Sequence, residues 1–263
     1  MSVFRRATMA AVFAVAAIGG ASAKEWTDVK IGTEGAYPPF NNLNAKGELE
    51  GFEIDYGNLL CEKAKLKCTF VAQDWDGIIP ALLASKYDLI MAGMNATDER
   101  KKKIDFGMVY TKIPISAMAN KSVTSADISP EALKGKTIGV QGSTIHANFV
   151  EKMYPGSTMK PYPTQEEANL DLANGRLDYV IADYAALSVF VDKGAEGACC
   201  KIVAEVPRDP VIHGAGVGMG YRKEDADLRA KFDAAIKETM LDGSFKVLND
   251  KYFKYDTCPK CAE

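Results

Sequence analysis

Glu34 and Tyr37 stand three residues apart in the stretch TEGAYPPF, directly after an apolar run that reads as a strand, Val29-Lys30-Ile31. A carboxylate and a phenol ring at a strand end can form one wall of a pocket for a small cation, the ring facing the charge and the acid neutralising it. The same stretch also reads as a surface turn stiffened by Pro38 and Pro39. Two further junctions share this character. AGMNATDER, residues 92–100, closes an apolar run and ends on Arg100. VQGSTIHANF, residues 140–149, opens a helix through Gly142, Ser143 and Thr144, and IADYAA, residues 181–186, sets Asp183 between an apolar strand and the next helix. Each has a plainer reading: Arg100 as part of a solvated run with Lys101, Lys102 and Lys103, Ser143 and Thr144 as helix caps, Asp183 as a cap before Tyr184. Trp75, flanked by Asp74 and Asp76, reads from the residues alone as a core aromatic at a helix start or as a pocket wall.

The elements that must position these residues alternate. Residues 51–65 carry apolar positions Phe52, Ile54, Leu59, Leu60 and Ala64 at helical spacing. Residues 68–72 read as a strand, 75–84 as a short helix, and 88–93 as a strand buried on both faces. A second set follows: strands at 114–119, 136–140, 159–162 and 178–182, and helices after Ser129-Pro130, from 144 to 153, from 164 to 173 with a Thr164/Glu167 capping box, and from 184 to 192. A Gly-rich extended run, 214–221, precedes amphipathic helices at 225–241 and 244–252. Strands alternating with helices imply parallel sheets with helical crossovers, in which ligands sit at strand-to-helix junctions. The segments 110–114 and 207–213 are the candidate boundaries between two lobes.

Residues 1–23 read as a cleaved export signal: Arg5 and Arg6, then an apolar stretch from 7 to 18, then Ala21-Ser22-Ala23. The apolar stretch is too short to span a membrane. The remaining chain holds 30 basic and 35 acidic residues, a net charge of −5. That balance argues against nucleic acid, which needs a basic face. Export makes the six cysteines disulfide candidates. Cys61 and Cys68, at a helix end and the start of the next strand, are expected to bond. Cys199, Cys200, Cys258 and Cys261 are expected to form disulfides that tie down the C-terminal tail, with a zinc site as the alternative.

IGTEGAYPPF, GFEIDYGNLLCEKAKLKC, DWDGIIPALLASKYDLI, NATDERKKKIDF, LKGKTIGVQGST, GRLDYVIAD and FDAAIKETMLDGSFKVLNDKYF run in order through nearly the whole chain after residue 23. Together they resemble the periplasmic solute-binding proteins of polar amino-acid ABC transporters, the lysine/arginine/ornithine, histidine, glutamine and opine group. The resemblance implies an α/β, two-lobed type II periplasmic binding fold. Each lobe would be a mostly parallel sheet flanked by helices, joined by two hinge crossovers, with residues 24–113 plus 212–263 as lobe 1 and 114–211 as lobe 2. It implies that Arg100 grips a ligand carboxylate together with Thr144 and Ser143, and that Asp183 pairs with the ligand α-ammonium. Gly93 and Asn95 would add hydrogen bonds where such proteins usually carry serine or threonine. Tyr37 and Trp75 would sandwich the ligand side chain, and Glu34 would meet a cation at its tip.

The resemblance therefore implies a monomeric, non-enzymatic periplasmic carrier of a cationic amino acid, arginine first, then lysine or ornithine. It would hand that ligand to membrane permease subunits without any cofactor. Histidine, glutamine and an octopine-like opine are the competing ligands. A dehydratase-like enzyme on the same scaffold is the competing class, and Glu34 is the one acid placed to serve it.

Overall fold

The computed structural model describes residues 24–259, so the expected export signal and Cys261 lie outside the described residues. The chain opens with β1 (Asp28–Thr33) and a small hairpin sheet of β2 (Ala36–Tyr37), β3 (Asn41–Leu43) and β4 (Leu49–Glu50). Then come α1 (Phe52–Lys63), β5 (Lys67–Ala72), a 3-10 turn at Trp75–Gly77, α2 (Ile78–Leu83), β6 (Leu89–Ile90), α3 (Asp98–Lys101) and β7 (Asp105–Thr111). The next stretch holds β8 (Ile115–Asn120), β9 (Thr137–Gln141), α4 (Ile145–Met153), β10 (Thr158–Tyr162), α5 (Gln165–Ala173), β11 (Tyr179–Asp183), α6 (Tyr184–Asp192) and β12 (Cys200–Glu205). The last holds α7 (Pro210–His213), β13 (Val217–Tyr221), α8 (Ala226–Leu241) and α9 (Ser244–Tyr252).

Two five-stranded sheets result, ordered β5-β1-β6-β13-β7 and β10-β9-β11-β8-β12. In the first, β13 runs against β6 and β7 while β1 is parallel to β5 and β6. In the second, β8 runs against β11 and β12 while β9 is parallel to β10 and β11. The reversed strand of each sheet is the first one the chain builds after crossing over from the other. Residues 112–114 carry the chain into the second sheet and residues 206–216 bring it back. These two passages lie side by side: Arg208 Nη1 donates to the Ile113 carbonyl at 3.0 Å, and Val206 N donates to the Ile115 carbonyl at 2.8 Å. The C-terminal tail joins them, its Thr257 carbonyl accepting from Lys112 N at 2.8 Å.

Helical spacing explains how the helices cover the sheets. On α1 the residues Phe52, Tyr56 and Leu60 recur every four positions, so they share one face, and all three are fully buried. That face packs on α8 and α9, with Phe52 edge-on to Phe245 at 6.1 Å and to Phe253 at 5.0 Å. Every residue of β11 is buried, the pattern of a strand with helices on both sides.

Several expected elements differ. Ser129-Pro130 opens turns instead of a helix: Leu133 N reaches the Ser129 carbonyl, but Gly135 at φ 74° ends the helical path within one turn. The apolar run 88–93 pairs as a strand only at Leu89–Ile90, because Gly93 turns to φ 59°. The hairpin β2–β4 and the strands β7 and β12 carry no clear periodicity and are visible only in the fold.

Cys61 and Cys68 are bonded, with Cα atoms 6.2 Å apart, and link the end of α1 to β5. The expectation for the other cysteines needs correction. Cys199 bonds Cys200, its chain neighbour, at the start of β12, so this pair holds nothing to the tail. Cys258 is itself disulfide-bonded. Among the described residues no group of three or more His, Cys, Asp or Glu side chains could hold a metal.

Candidate functional site

The strand ends bring the chemistry-bearing residues together. On the first sheet, β1 delivers Thr33 and Glu34, and the backbone turns at Gly35, whose N–H donates to Asn41 Oδ1 at 2.8 Å. That asparagine donates in turn to Glu53 on α1, 2.8 Å away. Glu53 is fully buried and also accepts from the Gly93 N–H at 2.8 Å and from Tyr110 Oη. One carboxylate thereby fixes the turn beside Glu34 and the loop after β6. Thr97 caps α3 and sets Arg100 on it. On the second sheet, β9 ends at Gln141, Thr144 caps α4 through the Ala147 N–H, and β11 ends at Asp183. Asp183 makes no side-chain cap to α6, so its carboxylate is free of the plainer role.

These ends line one narrow cavity. Glu34, Tyr37, Trp75, Gly93, Asn95, Arg100, Thr144 and Asp183 all line it. Ser143 does not. It sits at φ 55° with its side chain exposed, and only its carbonyl takes part, accepting from Trp75 Nε1 at 3.2 Å and from Arg100 Nη2 at 3.5 Å. The left-handed turn at Ser143 aims that carbonyl, not the hydroxyl, at the first sheet's residues. Two more contacts join the walls: Tyr37 Oη donates to Asp183 Oδ2 at 2.9 Å, and Gln141 Nε2 donates to Glu34 Oε1 at 2.5 Å.

Trp75 and Tyr37 were expected to flank a ligand side chain. In this arrangement the protein's own Arg100 lies over the Trp75 ring, 5.1 Å from its centre, and donates to the Asn95 carbonyl at 3.0 Å. The fork is held by carbonyls and a ring. Burial lowers its pKa to about 10, which leaves it charged at neutral pH.

The acids show the complementary strain. Burial pushes Glu34 up to about 7, against the pull of the Gln141 hydrogen bond, and the nearby Glu53, Asp74 and Asp76 add to the rise. Burial, with the Asp183 carboxylate close by, holds the Tyr37 phenol well above its usual range, so it remains a donor. Glu53 is likewise raised by burial, opposed by its three donors.

Gln141, Ala92, Ile145 and His146 also line the cavity. Reasoning from sequence passed over Gln141 and His146 as site residues. His146 is buried, with Nε2 3.6 Å from Asp183 Oδ2 and, among the described residues, no hydrogen-bond partner for Nδ1. The signal for Gln141 was available: it is the polar residue closing the apolar strand of VQGST. Glu53 could have been found as an acid beside apolar positions on a helix.

The family model for bacterial extracellular solute-binding proteins, family 3, matches residues 29–255. The chain belongs to that family. Among the relatives of this family-3 protein is the L-arginine-binding protein of Pseudomonas aeruginosa, 41% identical over 231 residues, which cover 87% of this chain and 88% of the relative. The octopine-binding periplasmic protein of Rhizobium meliloti is 37% identical over 95% of this chain and 97% of its own length. A solved periplasmic His/Glu/Gln/Arg/opine family-binding protein from Silicibacter pomeroyi, in complex with lysine, superposes with a TM-score of 0.77 at 38% identity, over 88% of this chain and 99% of that one. The fold is the type II periplasmic binding fold these structures share, and the family is one of binding proteins, not enzymes.

Proposed function

We propose that this family-3 protein is the periplasmic, amino-acid-binding component of an ABC importer, and that it takes a cationic amino acid, arginine first, then lysine and ornithine. The observation that carries the reading is the charge content of the cavity. A half-buried guanidinium, Arg100, is held among the described residues by carbonyls and a ring and by no carboxylate, while Glu34 and Asp183 are buried acids whose hydrogen bonds come from the Gln141 amide and the Tyr37 hydroxyl, with His146 3.6 Å from Asp183. Buried charges are costly until paired. A molecule with one carboxylate and two cations would pair all of them at once.

Arg100 and the α4 N-terminus at Thr144 bind the ligand carboxylate, with Gly93 and Asn95 beside it. Asp183, oriented by Tyr37, meets the α-ammonium. Glu34 meets the side-chain cation. Retention of Asp183 favours a primary amino acid over an opine, whose secondary amine carries a second acid.

The two sheets define the moving parts. Residues 24–113 with 212–263 form one lobe, residues 114–211 the other, and the paired passages at 112–114 and 206–216 act as the hinge. The ligand docks on the first lobe and the second closes over it. The closed surface is what the membrane permease recognises, after export directed by residues 1–23.

A thermal-shift screen of the purified protein against amino acids and octopine tests this. At a hundred times its dissociation constant a true ligand adds about 2.7 kcal/mol of stability. Arginine is expected to give that shift. A shift with octopine or glutamine and none with arginine, lysine or ornithine would overturn the assignment.

A further inference from the structure

Gln141 holds its amide in one orientation. Nε2 donates to Glu34 Oε1 at 2.5 Å and to the Pro163 carbonyl at 3.2 Å. A proline carbonyl only accepts, so the NH2 end must face this pair. Both N–H bonds are then spent, and among the described residues no donor reaches Oε1. The residue is anchored at its root as well: it ends β9, and its own carbonyl accepts from Thr144 Oγ1 at 2.7 Å. It is 2% exposed and lines the cavity.

We propose that Gln141 is a specificity-determining residue, selecting a ligand side chain that ends in a planar group with several N–H donors, a guanidinium, over a primary ammonium or a carboxamide. The inference rests on the cationic-amino-acid reading above. With Nε2 committed and Glu34 ionised, as a ligand cation would favour, the Glu34 and Gln141 corner offers acceptors alone: the second carboxylate oxygen of Glu34 and the amide oxygen of Gln141. A guanidinium carries five donors in a rigid fork and can serve both acceptors at once. An ammonium has three donors about a single point and covers the pair less well. A carboxamide has only two N–H donors on one nitrogen and no charge, so it gains less from two acceptors. Glu34 comes from the first sheet and Gln141 from the second, so this corner is complete only when the two walls meet. Terminus chemistry is thereby read during closure.

Titration calorimetry on the purified wild-type protein, Gln141→Met and Gln141→Asn, each with arginine, lysine and glutamine, tests the inference. Methionine keeps the volume and removes the hydrogen bonds. Asparagine keeps the amide but is one methylene too short to hold Glu34 and Pro163 together. The wild type is expected to prefer arginine. Both variants are expected to lose arginine affinity by about tenfold to a hundredfold, the worth of a hydrogen bond to a charged group, while lysine and glutamine change by less than about threefold. If Gln141→Met does not fold, as judged by circular dichroism, Gln141→Asn decides. An arginine-to-lysine ratio unchanged in the folded variants, or equal losses for every ligand, overturns the role of Gln141 and leaves the cationic reading standing. A wild type that prefers lysine also overturns it alone. A wild type that binds no cationic amino acid overturns both.

Discussion

At the scale of single residues, the site is organised by buried charges that the protein itself leaves underpaired. Arg100 is the clearest case. A ligand carboxylate in its fork would be held bidentately. Arg100→Met is therefore expected to weaken every amino acid alike, by about 2–5 kcal/mol, the cost of truncating one partner of a buried charge pair. Calorimetry across arginine, lysine and glutamine checks this, and a loss confined to one of them would refute the assignment. Glu34 supplies a pH signature. Its pKa in the empty pocket is about 7, and a ligand cation would favour the ionised form. Below that value a proton must leave before the pair can form. Arginine affinity is thus expected to fall by up to about tenfold per pH unit below about pH 7, while glutamine affinity stays nearly flat. In the empty protein the sign is reversed. The folded pKa is raised above the ordinary 4.5, so the folded form holds the extra proton, and this group's contribution to stability is lost as pH rises from about 4.5 to about 7.

At the scale of elements, Glu53 shows how the scaffold reaches into the site. From α1 it holds the Gly93 N–H and, through Asn41, the Gly35 turn. Gly93 sits at φ 59°, where a side chain is strained, and an added Cβ would lie 3.8 Å from the Tyr37 ring. The Cys61–Cys68 bond lies away from the cavity and acts on the unfolded chain. Replacing both by serine is expected to lower stability by about 2–3 kcal/mol, from the short loop it closes, with ligand affinity unchanged; denaturant melts and calorimetry read the two effects separately. Much of this level was legible in the sequence. The helix α5 announces itself through its Thr164/Glu167 capping box, present as expected, and α8 and α9 through the spacing of their apolar residues. The strands β7 and β12 were not legible, because their alternation is irregular and their pairing bulges. The pocket residues could be named by matching motifs. The Gln141–Glu34 contact could not, since it joins positions 107 apart and depends on how two sheets meet. Ser143 stands outside the cavity because its left-handed backbone turns the side chain outward, a feature no composition reveals.

At the scale of the molecule, the walls of the cavity are joined by Glu34 to Gln141, Tyr37 to Asp183, and both Trp75 and Arg100 to the Ser143 carbonyl. All are polar contacts that a ligand would replace or reinforce, and the passages at 112–114 and 206–216 are the short segments about which the lobes would turn. Small-angle scattering is expected to show a smaller radius of gyration with saturating arginine than without it. An unchanged radius with every amino acid that binds would remove closure from the account. The central claim, that a cationic amino acid sits in this cavity with its side-chain charge on Glu34, is met most directly by titrating the wild type and Glu34→Gln with arginine and with glutamine. Glu34→Gln is expected to lose arginine affinity by about thirtyfold or more, while glutamine changes by less than about threefold. Equal losses for the two ligands, or no arginine binding by the wild type, would contradict it.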